Sequence, residues 1–297
     1  MLSVAMIDLI YAIPFPDWIS PNIFSIGKLS IRWYGISFIL GITLAYFWTK
    51  RACAKTEYWR PEGITRGTEL IPSKRMLEDL FFYCLLGIIV GGRIGSIILY
   101  SPEMITQDPI GILKVWEGGM AFHGGFLGVC AAIIFVVKRN KLSLWRIADV
   151  VAIGAPLGIL MVRILGNFVN QELYGRVTDV PWAFIFNSDP TSLPRHPSQL
   201  YEAGLEGVAI FLLLWLAISK FRALTKPGIC AGAFIFLYGI FRIFVEFFRE
   251  PDAALFGPLT RGMTYSLPMV IIGAAIVLWA LKRSPVAPKR ISDPEKA

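Results

Sequence analysis

The chain has 297 residues, of which 55% are hydrophobic and only 17% charged, with a mean hydropathy of +0.60. Soluble domains carry about a quarter charged residues, so this composition excludes an ordinary soluble domain and points to a membrane. The net charge of +8 does not read as a nucleic-acid surface, because most Lys and Arg lie in alternate connecting segments, which share one side of a membrane.

In chain order, residues 1–22 read as a short outer-face arm. The opening "MLSVAMIDLIYAIPFPDW" lacks a basic leader and carries Asp8, which argues against a cleaved signal peptide. Seven segments approach the roughly 20 apolar residues that a spanning helix needs: about 23–48, 79–100, 120–137, 147–166, 202–219, 229–248 and 266–281. No series of alternating strands suggests a barrel. The expected fold is therefore an all-α integral membrane protein with seven transmembrane helices, one membrane domain over residues 1–297. Lys and Arg crowd into a connector at 49–77, the 138–146 loop, 220–226 and a tail at 283–297. The positive-inside rule then places the N-terminus outside and the C-terminus in the cytoplasm. The longest outer-face loop is 168–201, rich in Pro, Asp, Ser and aromatics, and its length marks it as functional. The four cysteines show no CxxC spacing, so neither a disulfide framework nor a zinc site is expected.

Ionisable residues inside spans are costly and point to function. At about 1.5 Å of rise per residue, Arg93, Arg163 and Arg242 all fall past the middle of their spans, toward the outer side. His123, Glu202 and Glu206 enter from that side. Asp149 is the one acidic residue in the inner halves. A one-sided cluster favours a site facing the outer leaflet over a conduit. In "YGIFRIFVEFFREPDA", Arg242, Glu246 and Arg249 share a helix face at i, i+4 and i+7. Such a set either braces the bundle or presents guanidinium forks to an anion such as phosphate. Gly87, Gly91 and Gly95, the Gly124/Gly128 pair and the Gly154/Gly158 pair have the spacing that lets membrane helices approach closely. His123, followed by two glycines, is the imidazole placed to move a proton near neutral pH.

The strings "GGRIG", "GGMAFHGGFLG", "GNFVNQELYGRVTDVPWA", "PRHPSQLYEA" and "FRIFVEFFREPDA" resemble the bacterial phosphatidylglycerol–prolipoprotein diacylglyceryl transferases, over about Ile23 to Trp279. The resemblance implies an enzyme of the bacterial cytoplasmic (inner) membrane that catalyses the first step of lipoprotein maturation. It moves the diacylglyceryl group of phosphatidylglycerol to the lipobox cysteine of a prolipoprotein, leaving glycerol 1-phosphate. The partners so implied are phosphatidylglycerol, the prolipoprotein signal peptide and membrane lipid, with no nucleic acid and no metal or organic cofactor. Carried over by motif, His123, Arg163 and Arg242 are the expected catalytic residues. Arg93 and Arg249 are grouped with the donor-binding set, which on motif positions holds Tyr34, Asn167, Glu172, Gly175, Glu202 and Glu246. Three departures stand out. The family's Arg precedes the signature Asn by three positions, whereas Arg163 precedes Asn167 by four, which turns it by about 100° on an α-helix. Arg32 replaces the family's His before "WYG", and "RGMTYSLPM" lacks the family's Gln. An anionic-solute carrier, an intramembrane protease and a metal-dependent phosphatidyl transferase are the rival classes. A carrier asks for polar residues through the inner halves, which hold little beyond Asp149; the Ser–His, paired-Asp or clustered-Asp sets the others need are not evident.

Overall fold

The computed structural model describes residues 12–26, 29–61, 69–114, 119–251, 259–286 and 288–290. The first part of the expected outer-face arm, residues 62–68 of the connector and most of the 283–297 tail lie outside them. Seven long helices are present among the described residues: α1 (Trp33–Ala54), α2 (Lys74–Tyr100), α3 (Phe122–Asn140), α4 (Leu144–Phe168), α5 (Ser198–Lys220), α6 (Ile229–Glu246) and α7 (Arg261–Leu281). Five of these, α2 and α4 to α7, are long and apolar enough to cross a membrane, so the chain is a helical membrane protein.

The start of the first expected span is corrected. Two strands, β2 (Asn22–Ile26) and β3 (Leu29–Arg32), pair antiparallel and are tied by the Ser25 and Ser30 hydroxyls at 2.8 Å. In "NIFSI" and "LSIR", apolar and polar residues come close to alternating. That is a strand period, which averaging over a window as long as a span conceals. Helix α1 begins only at Trp33 and continues to Ala54, six residues beyond the expected end of the span.

Small residues set how closely the helices approach. Gly87, Gly91 and Gly95 of α2 face Gly124 and Gly128 of α3 so tightly that a Cβ on Gly124 would collide with the Gly91 carbonyl. Gly41 of α1 meets Gly158 of α4, and Gly273 of α7 meets the α6 backbone at Phe236. Side-chain caps start α2 at Ser73, which accepts from Met76 N–H at 3.3 Å, and α7 at Thr260, which accepts from Met263 N–H at 3.2 Å. The fully buried apolar core, including Trp59, Leu77, Ile147, Ile210, Ile218 and Leu224, gathers toward the end of the bundle where α4 begins and α5 finishes.

The 168–201 loop is ordered. Strands β4 (Phe184–Ile185) and β5 (Pro194–Arg195) pair within it, and β1 (Ile13–Pro14) of the arm adds in parallel beside β4. Phe15 packs against Phe168 and Phe186, fixing the arm to the loop through an aromatic cluster.

Two helices depart from α geometry where it matters. Val162–Phe168 at the end of α4 and Ala203–Ala209 in α5 are π-helical. Val169 N–H accordingly reaches back five residues to Ile164 O at 3.1 Å. A π segment takes one more residue per turn than an α-helix and is common at functional sites.

Candidate active site

Three helices bring their ionisable side chains to one buried point. The π segment of α4 contributes Arg163 and Asn167, α5 contributes Glu202 and Glu206, and α6 contributes Arg242 and Glu246, with Arg249 just beyond its end. Glu202 is the hub. Its Oε1 accepts from Arg242 at 2.8 Å and from Arg249 at 3.0 Å, while its Oε2 lies 3.1 Å from Arg163. Arg163 also donates to Glu206 Oε2 at 3.1 Å, and Arg242 reaches Glu246 Oε2 at 2.8 Å. Three guanidiniums thus face three carboxylates in an environment where an uncompensated charge would be strongly destabilising.

Accessibility separates the arginines. The side chains of Arg163 and Arg242 keep 15% and 13% of their surface, whereas that of Arg249 keeps 5% and those of Glu202 and Glu206 none. Arg163 and Arg242 therefore each retain a face for a ligand, and Arg249 serves to hold Glu202. The arginines are not a bare cationic patch; each is aimed by a carboxylate.

The one-residue departure at Arg163 is accommodated by the π turn. With about one extra residue in that turn, Arg163 and Asn167 face the same way, and the guanidinium donates to Asn167 Oδ1 at 3.3 Å. Tyr34 lies within electrostatic reach of both Arg163 and Glu172, so the start of α1 borders the same site. Tyr238 of α6 is likewise in the field of Arg163, Arg242, Glu202 and Glu206.

Glu172 and Gly175 lie on the loop that follows α4. Its backbone is strained, with Gln171 and Leu173 in the left-handed region at φ +55° and +61°. The "RHPSQ" segment holds it in that shape. Gln199 donates to Glu172 O at 2.6 Å, Ser198 to Leu173 O at 2.8 Å, and Arg195 to Gly175 O at 3.4 Å. Burial pushes the Glu172 carboxyl above its usual range despite a hydrogen bond from Asn167 and the nearby Arg32 charge. Gly175 has a packing role. A Cβ there would clash with Phe248 O and His196 Cβ, and the residue pairs with Arg249 across an antiparallel bridge. Gly175 thereby sets where Arg249 stands.

One expected residue has its partners elsewhere. The buried guanidinium of Arg93 donates to Ile112 O at 2.9 Å and Gly119 O at 3.3 Å, tying these two residues to α2. Sequence depth put it level with the other arginines, but the rotation of α2 turns it to a different neighbour. His123 is exposed in the first turn of α3, the helix that packs along α2 through the glycine seam.

Glu206, read from the sequence as entering from the outer side with Glu202, was not among the expected site residues although it shares the Glu202 face at i+4 spacing, and Arg195 was not singled out. Arg195, within the quoted motif, is a second hub, bound to Asp189, to Glu250 at 3.0 Å and stacked on Tyr174 at 4.8 Å. Burial alone would raise Asp189, but the Arg195 guanidinium and the Thr191 hydrogen bonds outweigh it and hold the carboxyl below its usual range. His196 is pushed down by burial, against the Asp179 charge. Among the described residues, no three His, Cys, Asp or Glu side chains are grouped as a metal ion needs.

A family model for prolipoprotein diacylglyceryl transferase matches residues 21–279. Three relatives carry the name phosphatidylglycerol–prolipoprotein diacylglyceryl transferase. The protein of Brucella anthropi is 45% identical over 278 residues, 92% of this chain and 94% of that protein. That of Agrobacterium fabrum is 45% identical over 282 residues, 93% of this chain and 95% of the relative. That of Rhizobium leguminosarum bv. trifolii is 43% identical over 284 residues, covering 93% and 95% respectively.

Proposed function

The chain belongs to the prolipoprotein diacylglyceryl transferase family, and from that premise we propose that it transfers the diacylglyceryl group of phosphatidylglycerol to the lipobox cysteine of a prolipoprotein. The cysteine sulfur attacks the glyceryl carbon that bears the phosphate. A C–S thioether bond forms, the C–O bond to phosphate breaks, and glycerol 1-phosphate leaves with the electron pair.

The observation that carries this reading is the convergence of Arg163 and Arg242, from α4 and α6, on Glu202, each with an accessible face. Charge grows on the phosphate oxygens as the C–O bond breaks. Two preset guanidinium forks stabilise that charge without having to reorganise. Glu202, Glu206 and Glu246 orient the forks, Asn167 holds Arg163, and Arg249 and Gly175 hold Glu202 from behind. Tyr34 and Glu172 border the donor lipid. A free cysteine thiol has a pKa about 8.5, so it needs a base. His123 takes that proton, and no metal or organic cofactor is needed.

The seven helices span the bacterial cytoplasmic membrane with the N-terminus outside. This is supported by the basic residues in alternate connecting segments, and it puts the Glu202 cluster at the outer leaflet. A carrier would require an exchangeable polar path through the rest of the bundle. Against that reading, Arg146 and Asp149 near the start of α4 are bonded to backbone groups.

The test is incubation of the purified protein with phosphatidylglycerol and a lipobox peptide. The expected products are a diacylglyceryl thioether and free glycerol phosphate. A peptide left unmodified, with no glycerol phosphate released, overturns the reading. Full activity of His123→Gln would remove the histidine as base while leaving the arginine clamp in place.

A further inference from the structure

The hydrogen-bond inventory of the cluster does not close. Glu206 is fully buried, yet only its Oε2 is engaged, by Arg163; among the described residues nothing donates a hydrogen to its Oε1. Glu202 Oε2 and Glu246 Oε2 are off the hydrogen-bonding line but do face guanidinium nitrogens, at 3.1 and 2.8 Å. Glu206 Oε1 has no such neighbour among the hydrogen bonds and ion pairs of this site. A buried carboxylate oxygen without a donor is costly, so this position suits a hydrogen that comes from outside the chain.

Resting on the transferase reading above, we infer that Glu206 reads a hydroxyl of the glycerol headgroup of phosphatidylglycerol and so helps select this lipid as donor. The chemistry of the lipid narrows the choice. Its ester carbonyls and ionised phosphate oxygens only accept hydrogen bonds. Its O–H donors are the two hydroxyls of the terminal glycerol. Glu206 accepts from Arg163 through Oε2, so a phosphate seated on the accessible face of that guanidinium brings its glycerol toward the carboxylate that aims it. An ammonium headgroup could also donate, but it would bring a positive charge against Arg163 and Arg242. A hydroxyl brings the donor without the charge, and specificity of this kind combines one attraction with one repulsion.

The experiment compares kcat/KM for thioether formation on phosphatidylglycerol and on phosphatidylpropanol, which keeps the phosphodiester and lacks both hydroxyls. The wild type is expected to prefer phosphatidylglycerol by about tenfold or more, the scale of one charge-assisted hydrogen bond. In Glu206→Gln, which keeps the shape and removes the charge, that ratio shrinks, with the loss falling on phosphatidylglycerol. A residue that merely braced Arg163 would lower both rates together and leave the ratio unchanged, which overturns the inference. Equal use of the two lipids by the wild type overturns it as well. Direct binding of glycerol 1-phosphate and propyl phosphate to the wild type gives a readout that needs neither turnover nor a folded variant. Tighter binding of glycerol 1-phosphate supports the inference and equal binding overturns it. Absence of any turnover on phosphatidylglycerol counts against the transferase reading, and the binding comparison still decides the hydroxyl preference.

Discussion

Helix α4 carries a buried arginine near each end, and the fold uses the two in opposite ways. At its start, Arg146 donates to the carbonyls of Leu224 and Val286 and lies 5.5 Å from the Trp59 ring. One turn on, Asp149 accepts from Gly228 and Ala231 N–H, both at 2.8 Å, and so caps the start of α6. The partners there are backbone groups of neighbouring loops and helix ends, which cannot leave without unfolding something. At the other end of α4, the partners of Arg163 are the side chains of Asn167, Glu202 and Glu206. Among the described residues one buried oxygen there, Glu206 Oε1, meets neither a donor nor a guanidinium, and part of the Arg163 guanidinium is accessible. Charges bonded to backbone lock the architecture. Charges bonded to other side chains can exchange partners when a ligand arrives. Burial and charge are common to both ends, so neither distinguishes a site from a brace; partner type does.

Substitutions at the two ends should separate activity from stability. The largest effect is expected for Arg163→Lys, which keeps the charge but loses the fork. Thioether formation should fall by about 10²-fold or more, the scale of losing one preset donor, with little change in thermal unfolding in detergent. Retained activity would break the distinction. Asp149→Ala should do the reverse. Stability should drop by about 1–3 kcal/mol because two buried N–H groups lose their acceptor, while the rate per folded molecule holds. A loss of rate without a loss of stability would show that the α4 start belongs to the working site. Gly124→Val places a β-branched side chain into the α2–α3 seam. Overpacking should cost roughly 1–3 kcal/mol, read as a lower melting temperature.

The smallest effect concerns Asp189, on the outer loop. Arg195 holds its folded pKa below the usual value. Its contribution is therefore present above the ordinary carboxylate pKa of about 3.9 and is lost as pH falls through the lower folded value. Asp189→Asn should flatten the acid side of the stability curve and leave the neutral-pH rate unchanged. A changed rate at neutral pH would move the Arg195 hub from the bracing class to the working one.

Much of this was legible in the sequence, for reasons that differ by residue. The apolar segments gave the seven helices because length and hydropathy report directly on what a helix needs to be buried. Arg242, Glu246 and Arg249 were readable as one face because i, i+4, i+7 spacing is a property of a single helix. The strand pair ahead of α1 was not, because apolar content says that residues avoid water without saying which backbone period they use. Arg93 could be assigned a depth but not a direction, and its neighbours proved to be loop carbonyls. The extra residue before Asn167 could be counted, but not its consequence, since only the backbone reveals a π turn. The sequence by itself thus determined which residues are apolar, which are charged, and which share a face. The tertiary structure alone decided which faces meet. It alone separated the saturated pair at the start of α4 from the exchangeable cluster at its end, because pairing depends on the rotation and close approach of helices far apart in the chain.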